Sequence, residues 1–533
     1  MGSRREESPT PTVVYDHAQP HDSPRPGTTS TETQKRGPEK RPIVQEGYHV
    51  VQRSLFSSLV IVFVSTVSMV VNIGNSTTIA IALPTIGQHF NADPSLLQWI
   101  VSAYPLSSGC LLLVCGRLAD LYGRKKAYLG GTLLLAAFTL GCGFANNITT
   151  LIILRAMQGI GAAATVPASL GILANAFPPS RARSLAFATF AAGAPIGAVF
   201  GSAMGGVLTE KTAPTWRSVL YLFAGINVIC LIGGIFCIDK DVPNTVDDKK
   251  VDWLGAFLIT AGLVFILFVL GEGETRGWST GYIIALLVLG VFLVCVFVYW
   301  QWFLEQAQNR RQAKVEATLN NGEPKGTERK DGLVGGLADR WCDKLPPPVM
   351  KVSLWARANG RFGAVMAMAI LNWSAFIGWT FWVQLYYQDY TRLRPLEVVV
   401  RLLPMFVTGV ACNAFVGIMA AYIPMIVLTL MGALGTAAAC ILFAVINPKT
   451  TYWAFGFPAT ILSVFGADLV FSAGSLYIAK VSLPHEQSLS AALFQTMIQV
   501  RLQTLSLMLP RLPLFSGPGR HSTDSFSFSW VHL

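Results

Sequence analysis

Charge is what this chain has least of. Asp, Glu, Lys and Arg make up 13% of its 533 residues, against about 25% in an ordinary soluble domain. With 52% apolar residues and a mean hydropathy of +0.49, that scarcity excludes a soluble globular protein and describes an integral membrane one. Histidine is also rare, at seven residues set mostly in tails and loops. The chain has no H-E-x-x-H, no G-x-S-x-G and no phosphate-cradling glycine loop, so nothing points to an enzyme. The nine cysteines (110, 115, 142, 230, 237, 295, 342, 412 and 440) form no C-x-x-C pair and no metal spacing. Neither a disulfide framework nor a zinc site is expected from them, and no cofactor or metal is expected at all. The first 54 residues lack the short apolar core and cleavage site of a signal peptide.

Long apolar runs fill the rest. Stretches of spanning length, about 20 residues for a ~30 Å hydrocarbon core, are expected at 56–83, 98–116, 127–145, 150–176, 185–208 and 217–238. Others follow at 254–271, 281–303, 361–386, 397–421, 424–446 and 452–479, with a thirteenth at 489–509. The net charge of +11 would suit nucleic acid, but the basic residues sit in short loops between the spans. Arg117, Arg124, Lys125 and Lys126 mark one such loop, and Arg181 and Arg183 another. Ten more Lys/Arg lie in 304–360, whereas the intervening loops around His89 and at 145–149 have none. That alternation is the positive-inside pattern and sets these loops in the cytoplasm.

The expected organisation is therefore a disordered cytoplasmic tail (1–54), a six-helix bundle (55–240) and an extra transmembrane hairpin (241–303). A cytoplasmic linker (304–360), a second bundle with too few helices (361–509) and an atypical tail (510–533) complete it. From Arg501 onward the chain turns to Arg, Pro and Ser, which reads as a shifted frame or a truncation after about Val500. Asn147-Ile148-Thr149 is a glycosylation sequon on a very short outer loop.

The run GRLADLYGRKK, Gly116 to Lys126, resembles the loop signature between helices two and three of the major facilitator superfamily. Three stretches agree with it in order: NSTTIAIALPTI at 75–86, LIILRAMQGIGAA at 151–163 and GAPIGAVFG at 193–201. They resemble, in that order, the first-helix motif of the 14-span drug:proton antiporter branch, the superfamily's fourth-helix motif and the antiporter motif of helix five, and the span count with a central hairpin is also similar to that branch. Within it the sequence is similar to fungal aminotriazole-resistance-type exporters. The resemblance implies an all-α major facilitator fold of two bundles plus a central hairpin, with about 12–13 of 14 transmembrane helices countable.

It also implies roles. Gly116, Asp120, Gly123, Arg124 and Lys125 would form a gate that latches the halves together, the glycines allowing a tight turn and close approach. Asp120 can cap a helix end and pair with Arg124. Arg155, with Gln158 on the same helix face, would serve proton coupling or substrate contact, since a guanidinium in hydrocarbon must face a cavity or a partner. The alternative is an arginine snorkelling to the outer interface. Gly193, Gly197, Gly201 and Gly205 form a close-packing strip with Pro195 beside it, the antiporter motif. Asn75 stands where the branch has an aspartate, and an amide takes up no proton. Asn75 and Thr77 remain possible hydrogen-bonding partners for substrate or helices. Asp468 is then the clearest intramembrane acid, a functional candidate by default. Trp373, Trp379, Trp382, Tyr386 and Tyr387 are candidate cavity aromatics.

The expectation is a monomeric secondary transporter, driven by the proton gradient and exporting small organic or toxic compounds across the plasma membrane or, as a second choice, the vacuolar membrane. Its partners would be substrate, protons and the lipid bilayer, without nucleic acid. Alternatives are facilitated passage of a small polar solute such as ammonium or boric acid, and a non-transporting sensor or inactive truncated paralogue.

Overall fold

The computed structural model describes residues 54–239, 250–320, 345–391, 393, 395–446 and 451–504. The tail 1–53, residues 321–344 of the linker and the atypical C-terminal stretch beyond 504 lie outside them, and with these the readings of disorder and of a frame shift. Among the described residues there are thirteen α-helices and no strand. They are α1 (Leu55–Phe90), α2 (Pro94–Tyr122), α3 (Arg124–Gly143), α4 (Ile148–Ala176), α5 (Arg181–Lys211) and α6 (Trp216–Cys237). Then come α7 (Trp253–Arg276), α8 (Gly281–Asn320), α9 (Arg361–Leu385), α10 (Pro395–Met419), α11 (Met425–Ala444), α12 (Tyr452–Val481) and α13 (Gln487–Thr504).

Local sequence accounts for where the helices start and break. Ser54, Asn147, Ser180 and Asp252 each cap a following helix, accepting from the backbone N–H of Ser57, Thr150, Arg183 and Gly255. The sequon Asn147 is thus engaged as a cap, its Oδ1 2.7 Å from Thr150 N. A single residue, Gly123 at φ 116°, separates α2 from α3, a conformation that a side chain would strain. The first residues expected in the linker are helical, since α8 continues to Asn320. Loss of hydropathy marks where the membrane ends, whereas LEQAQNRRQAKVEATLN remains rich in strong helix formers.

Eleven of the described helices are long and apolar enough to cross a membrane. The two others are α3, whose first turn is Arg124-Lys125-Lys126, and α13, QSLSAALFQTMIQVRLQT. Polar as it is, α13 is not a surface helix: Ser488, Ser490, Gln495 and Thr496 are all buried.

Helices α1 to α6 pack as one bundle through the pairs α1/α5, α2/α4, α3/α4 and α3/α6; α9 to α13 form a second through α11/α12, α10/α12, α9/α12 and α9/α13. The bundles meet along two seams, α2 against α13 and α5 against α10. The hairpin α7–α8 lies outside both, with α7 against α2 and α13. The glycine strip of α5 faces α1 within its own bundle. A Cβ at Gly193 would lie 2.9 Å from Thr66 O, one at Gly197 2.5 Å from Val70 O, and one at Gly201 2.6 Å from Gly74 O.

Gly201→Ala should therefore overpack the α1/α5 contact. A loss of about 1–3 kcal/mol is expected, more than the ~1 kcal/mol that alanine contributes to helix propensity. Gly206→Ala, on the same helix with open space around it, should stabilise or leave stability unchanged. Thermal unfolding of the two purified variants measures the difference.

Candidate functional site

The α2–α3 turn is built to reach the second bundle. Asp120 and Arg124 are four residues apart and meet across the turn, with Nε and Nη2 at 3.0 and 2.9 Å from Asp120 Oδ1. Asp120 also accepts from the backbone N–H of Ser488 (3.2 Å) and Leu489 (2.8 Å), in the first turn of α13. These N–H groups have no partner inside their own helix, and the positive end of the α13 dipole favours an anion there. Arg124 adds donations to the carbonyls of Gly171 and Pro484 and to Gln487 Oε1. So Asp120 both pairs with Arg124 and caps a helix, and the helix belongs to the other bundle.

Small residues make the approach possible. A Cβ at Gly116 would sit 2.5 Å from that of Ala492 and 2.9 Å from Ser488 O, and one at Gly171 would strike the Ser488 hydroxyl. Lys125 is aimed elsewhere, at Ile238 O (2.5 Å) and Ile235 O (2.8 Å) at the end of α6. Arg183, buried in α5, donates to Ala479 O at 2.8 Å and ties α5 to α12. Along this end the bundles are closed on each other.

Beside the turn sits an acid that sequence reasoning passed over. Glu486 immediately precedes α13, is 3% exposed, and pairs with Arg357 Nη1 (3.0 Å), Lys351 Nζ (3.2 Å) and His485 Nε2 (3.5 Å). Burial alone would raise its pKa, but the His485 contact and the charges of Lys351 and Arg357 outweigh it and hold the carboxyl at about 2. An acid set between two helices near basic residues was the available signal.

A second cluster occupies the α5/α10/α12 region. Asp468 of α12 is 7% exposed and accepts from Asn413 Nδ2 of α10 at 3.3 Å; Asn413 Oδ1 in turn accepts from Ser472. A Cβ on Gly409 would lie 2.8 Å from Asp468 Oδ2 and 2.9 Å from Pro195 Cβ, so the carboxyl stands at the α5/α10 seam. Ser472 is one turn from Asp468, and Asn413 interrupts an apolar run. Both signals were legible.

Arg155 lies wholly inside the first bundle, 0% exposed, so it does not snorkel to the interface. Nε donates to Ile100 O (3.2 Å) and Nη1 to Gln158 Oε1 (2.7 Å), while Gln158 Nε2 continues to Thr139 Oγ1 (2.7 Å). The guanidinium carbon stands 4.7 Å over the Tyr104 ring. Asn75 is also fully buried, and neither polar atom of its amide has a hydrogen-bond partner among the described residues. Thr77 turns back to the Ile73 and Gly74 carbonyls, and its neighbour Thr78 donates to Gly201 O at 2.8 Å. Of the aromatics, Trp379 and Tyr387 are buried together in the second bundle, with Arg401 5.1 Å from the Tyr387 ring. The structure thus separates the candidates into a polar contact between the bundles at the α2–α3 turn, an acid at the α5/α10 seam and a polar interior in the first bundle.

Two measurements follow from this geometry. Asp120→Ala leaves Arg124 and the first N–H groups of α13 without their carboxylate, and a loss of about 3–5 kcal/mol is expected in thermal unfolding. Glu486 has a folded pKa below its ordinary 4.5, so its contribution is complete above that value and fades as pH falls toward about 2. The stability advantage of the wild type over Glu486→Gln should be constant at neutral pH and shrink only across that acid window.

The Major Facilitator Superfamily profile matches residues 65–252. Two relatives come from Saccharomyces cerevisiae. The chain is 26% identical to a low affinity ammonium transporter, over 78% of its own length and 74% of that protein's. It is 30% identical to an aminotriazole resistance protein over 45% of each. Among solved structures, the human organic anion transporter MFSD10 superposes with a TM-score of 0.56 at 12% identity, over 85% of this chain and 92% of that one. The motifs, the paired bundles and these matches lead to one conclusion: residues 65–252 match the Major Facilitator Superfamily, and the chain has the major facilitator fold of a multi-pass integral membrane protein similar to transporters of that family.

Proposed function

We propose that the protein exports small organic compounds in exchange for protons, by alternating access between the two bundles. The observation that carries this reading is Asp468, a buried carboxyl at the seam between the bundles, hydrogen-bonded to Asn413 and beside Pro195 of the α5 motif. A carboxyl can hold a proton where the bundles meet and release it when they part, whereas Asn75, at the branch's usual acid position, can do neither. The aminotriazole resistance relative supports export as the direction and a small organic compound as the cargo. The latch at Asp120 closes the end that the basic loops mark as cytoplasmic, which fits an outward-facing state. Plasma membrane is the site this reading favours.

The unpartnered amide of Asn75 and the ammonium transporter relative favour a second reading, passage of a small polar solute without proton exchange. One experiment separates the two. Proteoliposomes are loaded with labelled aminotriazole or labelled methylammonium, and flux is followed with and without an imposed pH gradient. Gradient-driven aminotriazole flux that falls to the protein-free background in Asp468→Asn is the expected result. Flux that ignores the gradient, or survives Asp468→Asn, overturns proton exchange through this residue.

A further inference from the structure

The hairpin α7–α8 belongs to neither bundle, yet its basic end holds buried polar groups that a mere lipid-facing appendage would not need. Asp252 and Glu305 are 2% and 5% exposed and Gln301 is fully buried. Such groups persist only where partners meet them, and here the partners form a chain. Asp252, capping α7, accepts from Gln301 Nε2 (2.7 Å) and Trp300 Nε1 (3.1 Å) of α8. Gln301 Oε1 then accepts from the backbone N–H of Met350 at 3.1 Å. One turn further along α8, Glu305 accepts from the Ser353 N–H (3.1 Å) and from the Ser353 hydroxyl.

Met350 and Ser353 belong to the short stretch 345–357, which ends in a single 3-10 turn, Val352–Ala356. Two other residues of that stretch, Lys351 and Arg357, hold Glu486. Glu486 closes the turn Pro484–Glu486, whose Pro484 carbonyl accepts from Arg124 and whose successors Ser488 and Leu489 donate to Asp120. So one stretch is bonded to the hairpin through the Met350 and Ser353 N–H groups and the Ser353 hydroxyl, and to the latch turn through the Lys351 and Arg357 side chains. Toward the opposite end, α7 is joined to α2, with Phe268 5.6 Å from Trp99 and Gln98 Nε2 3.4 Å from Gly271 O.

We infer that residues 345–357 form a strap through which the hairpin restrains opening of the Asp120 latch, with Glu305 and Glu486 as its positioning residues. The hairpin holds α2 of one bundle at its far end and, through the strap, the α12–α13 turn of the other. Parting α2 from α13 at the basic end must then stretch the strap or carry the hairpin along. The strap rests on the reading of this seam as a gate, and adds the hairpin as the element that sets how readily it opens.

The test reads access to the seam. Ser488 is 0% exposed with its hydroxyl against Gly171, so Ser488→Cys places a thiol inside the closed contact without altering the backbone N–H that Asp120 uses. Inside-out vesicles are labelled with a membrane-impermeant maleimide, the same protein lacking Ser488→Cys serving as blank. Glu305→Ala, on the hairpin side, and the milder Ser353→Ala are compared with Asp120→Asn, and folded protein is checked by size exclusion. Labelling raised several-fold by Asp120→Asn and also by the strap variants, more by Glu305→Ala than by Ser353→Ala, is the expected result. If Asp120→Asn raises labelling and well-folded Ser353→Ala and Glu305→Ala do not, the strap is overturned and the gate stands. If Asp120→Asn itself leaves labelling at the blank, the gate reading fails and the strap with it.

Discussion

A single carboxylate, Asp120, is the constraint on which the basic end of this protein depends. It faces a guanidinium across the turn, from the next helix of its own bundle, and the open N–H groups of a helix from the other bundle. Buried charge is tolerated only when its partners are complete, and here two of them, the Ser488 and Leu489 N–H groups, come from residues more than 360 positions away. This requirement explains the composition of the turn. Gly116 lets α13 come close, Gly123 supplies the positive φ that turns α2 into α3, and Arg124 reaches past Asp120 to three further acceptors.

The two kinds of contact in the molecule are made of different material. Within the first bundle, α5 lies against α1 through Gly193, Gly197 and Gly201, backbone on backbone. Parting such surfaces forfeits dispersion contacts with nothing in lipid or water to replace them specifically. Between the bundles, polar contacts join the apolar ones: Asp120 accepts from N–H groups of α13 and Arg183 donates to Ala479 O, beside the approach of Gly409 to Pro195. Water can take over such bonds when the surfaces separate. A bundle packed by glycines and a seam held in part by hydrogen bonds together favour rigid halves and a separable boundary.

The same distinction accounts for α13. On hydropathy alone it does not qualify as a span, yet it is buried, because its polar residues face protein rather than hydrocarbon. The hairpin α7–α8 is its converse. Its apolar length would hold it in a membrane without help, and its polar groups are concentrated where it meets the 345–357 stretch.

Sequence by itself determined the helices, their number among the described residues and their grouping into bundle, hairpin and bundle. Hydrophobic length, basic loops and capping residues are local properties that any neighbour in space leaves unchanged. It determined the Asp120–Arg124 pair for the same reason, since four residues along a chain are neighbours in any turn of this kind. Tertiary structure alone decided the partners. That Asp120 caps α13, that Asp468 meets Asn413, that the α5 glycines face α1 while Pro195 faces α10, and that Arg155 points inward to Tyr104 and Gln158 all depend on the rotation and register of one helix against another. Helical periodicity groups residues on a face, but only packing chooses what the face meets.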